Sequence, residues 1–158
     1  MVQYEFLMGS CSDLEREKPW CNCSFQPGIP EPEITLLESD AGLVIPSGLK
    51  DFYQFSYGAT LCMYKILTIE EMIAFRNELK NVYADYRRVS LLPFAYLIDV
   101  GDYVAFDVSL QRNGKTLIID GFHELSPDDW QPICYGFDNW LKRLASNGFE
   151  PFWLGDKG

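Results

Sequence analysis

Three extended apolar segments, separated by two short turn sequences, occupy the second half of the chain. The segments are LPFAYLI, YVAFDVSL and TLIIDGF, and the turns between them are DVGD and RNGK. Asn113-Gly114 in the second turn is typical of a two-residue β-hairpin, because the central positions of such a turn favour a left-handed backbone. Apolar strands joined by tight turns pair as antiparallel neighbours. The pattern therefore predicts an antiparallel meander of three strands.

Helix-forming patterns precede and follow these strands in the sequence. Thr68 and Glu71 match a capping box, in which each side chain bonds the backbone of the other residue, so we expect a helix to begin there. Near the C-terminus, apolar residues recur at the spacing of one helical face: Phe137, Trp140, Leu141 and Leu144. Earlier in the chain, the patterns predict two shorter helices and one strand: PEITLLESDAG, VIPSGLKDFYQFSYG and ATLCMYKIL. This order predicts an α+β fold in which helices flank a largely antiparallel sheet.

A proline-rich stretch, FQPGIPEPE, divides the chain into two unequal parts. Because proline and glycine interrupt regular structure, residues 1–33 are predicted to form a loosely packed N-terminal extension, with at most a short helix at SDLERE. Residues 34–158 are predicted to form the folded domain.

The N-terminus lacks the basic segment and the long apolar run of a secretory signal peptide. No stretch of the sequence approaches the roughly 18 consecutive apolar residues of a membrane-spanning helix. We therefore expect a soluble, cytoplasmic protein. In that reducing compartment, its five cysteines are expected to remain free thiols.

The chain carries 13 basic and 23 acidic residues, which give it a formal net charge of −10 at pH 7. An anionic surface repels phosphate groups, so nucleic acid and anionic membranes are poor partners. A basic protein or a cation is a better match for this charge. The simpler interpretation, that acidity only keeps the protein in solution, stays open.

Three carboxylates, those of Asp99, Asp102 and Asp107, lie among apolar residues where the first two strands of the meander meet. In a regular strand, Asp102 and Asp107 are about 17 Å apart and point to opposite faces. Paired catalytic carboxylates stand about 5 to 9.5 Å apart, so this spacing argues against a shared acid–base reaction. Asp99 and Asp102 fit a tight turn. Asp107 is expected to lie nearer solvent, because the opposite face of its strand is the apolar one.

Histidine and cysteine are the other residue types that could carry chemistry. The single histidine, His123, lies in DGFHELSPDD and is interpreted as a loop residue beside surface acids. Cys11, Cys21 and Cys23, with Cys134 or His123 as a fourth ligand, have the residue types of a tetrahedral zinc site, but their spacing matches no zinc motif. Free, half-buried thiols are the preferred interpretation. No catalytic residue, cofactor-binding residue or metal site is predicted.

The loop sequence SPDDW places a tryptophan, Trp130, beside two acidic residues. Trp130 is either an exposed binding anchor or a lid folded onto the core. Together with the carboxylates of the meander, this loop supplies the predicted partner-binding residues: Asp99, Asp102, Asp107, Asp128, Asp129 and Trp130.

Three segments, taken in order over about residues 34–154, resemble the SUKH (Smi/Knr-like) superfamily. ITLLESDAGLVIPSGLKDFYQFSYGATL is similar to the opening pair of helices, with the matching positions Glu38, Gly42, Pro46, Phe52, Tyr57 and Gly58. LLPFAYLIDVGDYVAFDVS resembles the central hairpin, with the matching positions Gly101, Asp102 and Asp107. YGFDNWLKRLASNGFEPFWL is similar to the closing helix.

The resemblance implies a SUKH-type α+β fold with no known catalytic set, and a role in binding another protein. Bacterial members resemble immunity proteins that neutralise a cognate toxin, often a nuclease or a deaminase, whereas yeast members are linked to cell-wall glucan synthesis. The leading hypothesis is therefore a non-enzymatic immunity protein whose partner is a basic toxin domain. A regulator or scaffold of cell-wall glucan synthesis is the alternative, and an enzyme with an unrecognised site is the third hypothesis.

Overall fold

The computed structural model of the protein describes residues 2–83 and 85–155. The helices are α1 (Glu5–Glu17), α2 (Glu31–Ala41), α3 (Ser47–Phe55), α4 (Ile69–Val82), α5 (Phe137–Ser146) and α6 (Phe152–Gly155). The strands are β1 (Cys23–Phe25), β2 (Ala59–Leu61), β3 (Tyr64–Ile66), β4 (Leu91–Leu97), β5 (Tyr103–Arg112), β6 (Lys115–Gly121) and β7 (Gln131–Tyr135). Short 3₁₀ turns at Val2–Tyr4 and Pro127–Asp129 complete the elements. None of the helices in the described ranges is both long enough and apolar enough to cross a membrane.

Within the described residues, the seven strands form one sheet in which each strand pairs antiparallel with the next along the chain. The meander predicted from the sequence is formed by β4, β5 and β6, and the pairing of β5 with β6 runs from Tyr103↔Gly121 to Arg112↔Lys115. Asn113 and Gly114 have φ values of 53° and 75°, the left-handed backbone that this hairpin turn requires. The predicted α+β class, with helices flanking a largely antiparallel sheet, is confirmed.

Two strand assignments differ from the prediction. The segment ATLCMYKIL, predicted as a single strand, is the β2–β3 hairpin. Cys62 at its tip takes a left-handed backbone with φ 60°, which lets the chain reverse. No strand was predicted at β7, where Pro132 argues against pairing, but β7 is an edge strand and tolerates a missing N–H group.

Helices and loops cover both faces of the sheet, which gives the protein two hydrophobic clusters. On the first face, the rings of Phe94 and Phe106 stack with centroids 4.3 Å apart, in a cluster that includes residues of α1, α3 and α5. On the second face, Ala105 of β5 shares a cluster with Leu79 of α4 and with Trp130. The central strands are therefore buried on both sides, so alternation along them does not separate core from solvent.

The described part of residues 1–33 is not loosely packed, which corrects the prediction. Helix α1 buries Leu7, Cys11 and Leu14 in the first cluster, and β1 adds an edge strand to the sheet. The Tyr4 hydroxyl donates a 2.7 Å hydrogen bond to Asp138 Oδ1 on α5. The buried residues of α1 recur at the spacing of one helical face: Leu7, Cys11 and Leu14. This spacing indicates a packed helix, but the prediction gave more weight to the proline-rich stretch that follows. The domain boundary after residue 33 stays a prediction.

A disulfide joins Cys21 to Cys62, which corrects the prediction that all five cysteines are free. Strand pairing brings the two residues together, because β1 lies beside β2 in the register Cys23↔Leu61. Cys11, Cys23 and Cys134 are free thiols. Lasting disulfides are uncommon in a reducing cytosol, and the cytoplasmic location stays a prediction.

Replacing Cys62 with serine is expected to lower the free energy of unfolding by about 2–4 kcal/mol. The disulfide spans a sequence separation of 41 residues, so it restricts the unfolded chain strongly. Urea unfolding of the variant and the wild type at one pH measures the difference. Cys134→Ser, which removes a free thiol on β7, is the matched control and should have the smaller effect. A Cys62→Ser protein as stable as the wild type would contradict this expectation.

Candidate partner-binding surface

A groove opens at the end of the sheet where the β4–β5 turn meets the C-terminal residues. It consists of two adjoining clefts of about 260 and 270 Å³, which share the residues Leu97, Asp102, Pro151 and Leu154. We call this surface the acidic groove and define it by ten of its lining residues: Trp20, Tyr64, Leu97, Val100, Asp102, Asp120, Leu125, Glu150, Trp153 and Leu154.

The acidic groove exposes large apolar side chains. Trp20 is 68% exposed, Leu154 is 47% exposed and Val100 is 42% exposed. The three residues come from separate segments of the chain and line the same cleft. A tryptophan left in solvent beside other apolar side chains is typical of a surface that another molecule covers.

Carboxylates surround this apolar lining. Burial raises the pKa of the Tyr64 hydroxyl well above its ordinary value, and the negative charges of Asp120, Asp102 and Glu150 raise it further. Asp99 lies exposed in the β4–β5 turn, next to Val100. The acidic groove therefore combines apolar contact area with a negative electrostatic field.

Two basic side chains reach the rim of the groove and order its carboxylates. Nδ1 of His123 lies 2.6 Å from Asp102 Oδ1, and the backbone N–H of His123 donates to the same oxygen at 2.9 Å. Nζ of Lys18 lies 3.2 Å from Glu150 Oε1 and 5.8 Å from the ring centroid of Trp20. Both pairs are partly exposed, and such pairs contribute little to stability, so a partner can replace them at small cost.

Two buried donors beside the groove, the Tyr64 hydroxyl and Trp153 Nε1, find no hydrogen-bond partner in the part of the chain that the structure describes. Their rings contact each other with centroids 6.3 Å apart. An unsatisfied buried donor is unfavourable, so these two groups lower the stability of the fold at this position.

The predicted partner-binding residues separate into two groups. Asp102 lines the acidic groove and Asp99 adjoins it. The other group lies around Arg88, which connects Asp107 to the loop that carries Trp130. The structure therefore brings two of the six predicted residues to the groove and places four elsewhere: Asp107, Asp128, Asp129 and Trp130.

Asp107 is 3% exposed, so the expectation that it lies nearer solvent is wrong. Arg88 Nε donates to its carboxylate at 2.9 Å, and the hydroxyls of Ser90 and Ser109 donate at 2.6 Å. Burial acts to raise the pKa of Asp107, but the hydrogen bonds from Ser109, Ser90 and Arg88 outweigh it and hold the pKa below the ordinary value. The reason for the burial is that both faces of β5 are covered, so this carboxylate orders the sheet and is not a free surface charge.

Trp130 is a lid on the core and not an exposed anchor. It is 3% exposed, and its Nε1 donates to the carbonyl oxygens of Phe122 at 2.9 Å and Leu125 at 3.1 Å. The Asp128 carboxylate accepts the backbone N–H groups of Arg87 and Arg88 at 3.0 and 2.9 Å. The side chains of Asp128 and Asp129 are exposed, whereas the indole of Trp130 is buried.

The residues considered as zinc ligands do not converge. Cys134 lies on β7, at the opposite edge of the sheet from Cys23 on β1. His123 contacts Asp102 at the rim of the acidic groove. Over residues 2–83 and 85–155, no group of three or more His, Cys, Asp or Glu side chains is arranged to hold a metal ion.

Of the ten residues that define the groove, only Asp102 was predicted from the sequence, and the missed residues include Trp20, Glu150 and Leu154. The available signal was a tryptophan between Pro19 and Cys21, in a segment that we expected to pack loosely. Spacing alone does not reveal whether such a side chain is covered, because its exposure depends on how the terminal segments pack against the β4–β5 turn.

The family model described as SMI1 / KNR4 family (SUKH-1) matches residues 28–143. This match confirms the resemblance that the three sequence segments indicated, although it begins before residue 34 and ends before residue 154. No curated protein matches the chain.

Proposed function

Since the chain belongs to the SMI1 / KNR4 family (SUKH-1), we propose that it is a protein-binding domain that catalyses no reaction of its own. Its partner is a basic toxin domain, a nuclease or a deaminase, which it neutralises as an immunity protein. The acidic groove is the observation that carries this proposal, because it joins exposed apolar side chains to a rim of carboxylates.

The composition of the acidic groove supports recognition of one specific partner. Trp20 and residues 151–154 lie outside the matched range 28–143, whereas Val100 and Asp102 lie inside it. A surface that combines residues inside and outside the family match suits a protein that must discriminate one partner from similar ones.

Charge supports a partner that normally binds nucleic acid. A nuclease or a nucleic-acid deaminase contacts the phosphate backbone through basic side chains. The net charge of −10 and the carboxylates of the groove present the same sign of field as nucleic acid. This field accelerates the encounter with a basic domain, and the apolar side chains then supply short-range affinity.

Replacing Trp20 and Leu154 together with alanine is expected to weaken partner binding about 30-fold, the loss of about 2 kcal/mol that is typical of an interface anchor. The matched control replaces Val44 and Val89 with alanine. These residues are 84% and 87% exposed in a different cleft, near the start of β4. Isothermal titration calorimetry with the purified partner measures both Kd values. Equal losses for the two pairs would contradict the groove as the binding surface.

The function is tested by affinity purification of the chain with its native partner, followed by assays of that partner on DNA and RNA. We expect the partner to cleave or deaminate nucleic acid, and an equimolar amount of the chain to abolish this activity. The Trp20→Ala/Leu154→Ala variant should require a higher concentration for the same inhibition. A partner that acts in cell-wall glucan synthesis would contradict the toxin proposal, and turnover of a substrate by the isolated chain would contradict the non-enzymatic role.

The association rate is expected to fall at least about tenfold when the salt concentration rises from 0.01 M to 1 M, because the screening length shrinks from about 30 Å to about 3 Å. Stopped-flow mixing of the chain with its partner measures this rate. An association rate that does not change with salt would contradict electrostatic steering towards the acidic groove.

A further inference from the structure

A second cleft lies near the start of β4 and shares no lining residue with the acidic groove. Its volume is about 340 Å³, within the range of about 300–1,000 Å³ that is typical of small-molecule sites. The α2–α3 connection, helix α4, the start of β4 and the β5–β6 hairpin all contribute to its lining. We call it the Arg76 cleft and define it by six of its lining residues: Leu43, Val44, Arg76, Val89, Leu91 and Gln111.

The walls of the Arg76 cleft are largely apolar. Val44 and Val89 are 84% and 87% exposed, which makes them the two most exposed large apolar side chains that the structure describes. Leu43 and Leu91 line the same cleft and are buried, each as part of a hydrophobic cluster. The cleft therefore offers apolar contact area that continues from the surface towards the core.

Arg76 brings an uncompensated positive charge to this apolar lining. Among the described residues that line the cleft, it is the only one with a charged side chain. Its Nε is buried without a hydrogen-bond partner in residues 2–83 and 85–155, and none of the ion pairs in these ranges involves it. Its charge acts on the Tyr86 hydroxyl, but burial raises the pKa of that group, so the hydroxyl is neutral at pH 7 and does not compensate the charge. A partly desolvated cation without a counterion is unfavourable, and an anion in the cleft would stabilise it.

The chemistry of the cleft selects one class of anion. A guanidinium group binds a carboxylate through parallel N–H···O bonds and stays charged at every physiological pH. One cation balances one negative charge, and the net charge of −10 disfavours more highly charged anions such as inorganic phosphate. The apolar walls add affinity for a hydrocarbon group attached to that carboxylate.

We propose that the Arg76 cleft binds a small organic monocarboxylate with an apolar tail. The carboxylate pairs with the Arg76 guanidinium, and the tail packs against Val44 and Val89. This site does not depend on the toxin partner, because the cleft and the acidic groove have separate lining residues.

The test titrates the ¹⁵N-labelled full chain with sodium 4-phenylbutyrate and follows the backbone amide signals by NMR. We expect a Kd of about 1 mM or lower, with the largest shifts at residues 42–46, 89–92 and 108–111. 4-Phenyl-1-butanol has the same tail without the charge and should bind at least about tenfold more weakly, since a hydrogen bond to a charged group is lost. Inorganic phosphate has the charge without the tail and should also bind more weakly.

Arg76→Gln is expected to weaken the binding of 4-phenylbutyrate about tenfold or more. Arg16→Gln, which removes the same charge from an exposed position on α1, is the matched control and should leave the Kd unchanged. Because Arg76 has no partner among the described residues, Arg76→Gln should unfold at the same urea concentration as the wild type. A purely structural role for Arg76 would instead lower that concentration.

Val44→Ala/Val89→Ala is a second variant that removes part of the apolar wall without touching the charge. It should weaken 4-phenylbutyrate binding about threefold, and the exposure of both residues makes a folding defect unexpected. Trp20→Ala/Leu154→Ala should bind the probe like the wild type, which separates this site from the acidic groove. An unchanged Kd in Arg76→Gln, equal binding of the acid and the alcohol, or shifts confined to residues outside the cleft would each overturn the proposal. If Arg76→Gln does not fold, the alcohol and the valine variant still decide.

Discussion

Replacing Trp140 with alanine is expected to lower the free energy of unfolding by about 3–5 kcal/mol. Trp140 is fully buried where α5 docks on the sheet. Its ring meets Phe94 edge-on at 5.1 Å between centroids and lies 6.0 Å from the ring of Tyr64. Removing the indole leaves a cavity that rigid aromatic neighbours cannot fill. Urea unfolding at pH 7, followed by far-ultraviolet circular dichroism, measures the loss.

Trp20→Ala is the matched control, because it removes the same side chain from a position that is 68% exposed. Its effect on the free energy of unfolding should stay below about 1 kcal/mol. Trp140→Phe should also cost less than the alanine variant, since it keeps a ring and Trp140 Nε1 has no hydrogen-bond partner among the described residues. Equal destabilisation by Trp140→Ala and Trp20→Ala would contradict the packing of α5. If the Trp20→Ala protein is as stable as expected, a loss of partner binding on removal of the Trp20 side chain cannot be explained by unfolding.

Replacing Asp107 with alanine is expected to lower the free energy of unfolding by about 3–5 kcal/mol, the usual result when one partner of a buried ion pair is removed. The Arg88 side chain is only 19% exposed and loses its countercharge. The hydroxyls of Ser90 and Ser109 lose their acceptor at the same time. Asp99→Ala removes the same charge from an exposed position and should change stability by no more than about 0.5 kcal/mol. The same unfolding assay compares the two variants.

The effect of Asp107 should depend on pH. Its pKa in the folded protein lies below the ordinary value of 3.8, so the folded state favours the ionised carboxylate. This contribution is complete above the pKa of the unfolded chain and is lost as the pH falls through the lower pKa of the folded chain. The stability gap between the wild type and Asp107→Ala should therefore be largest near neutral pH and shrink below about pH 4. A gap that persists undiminished in acid would contradict the role of the ionised carboxylate.

The elements that could be predicted from the sequence are those set by local chemistry. Asn113 and Gly114 form the expected hairpin turn, and the Thr68–Glu71 capping box forms at the start of α4. The elements that could not be predicted depend on contacts between distant segments. The tip of the β2–β3 hairpin is cross-linked to Cys21, and the burial of Asp107 requires Arg88 and a second covered face of the sheet.

The candidate site was predictable only in part, for a related reason. Asp102 could be found because a carboxylate in a turn between apolar strands is visible in one short stretch of sequence. Trp20 and Leu154 lie near opposite ends of the chain, and only folding brings them to the same cleft as Val100. Trp130 was left as two alternatives because its partners, the carbonyl groups of Phe122 and Leu125, are fixed by loop geometry and not by residue type.

Hydrogen–deuterium exchange of the chain, alone and with its purified partner, shows which surface the partner covers. We predict slower exchange in the complex at residues 97–103 and 151–154 of the acidic groove, and unchanged exchange at residues 43–46 and 89–91 around the other cleft. Slower exchange confined to that other cleft, or no change at the β4–β5 turn, would contradict a function based on the acidic groove.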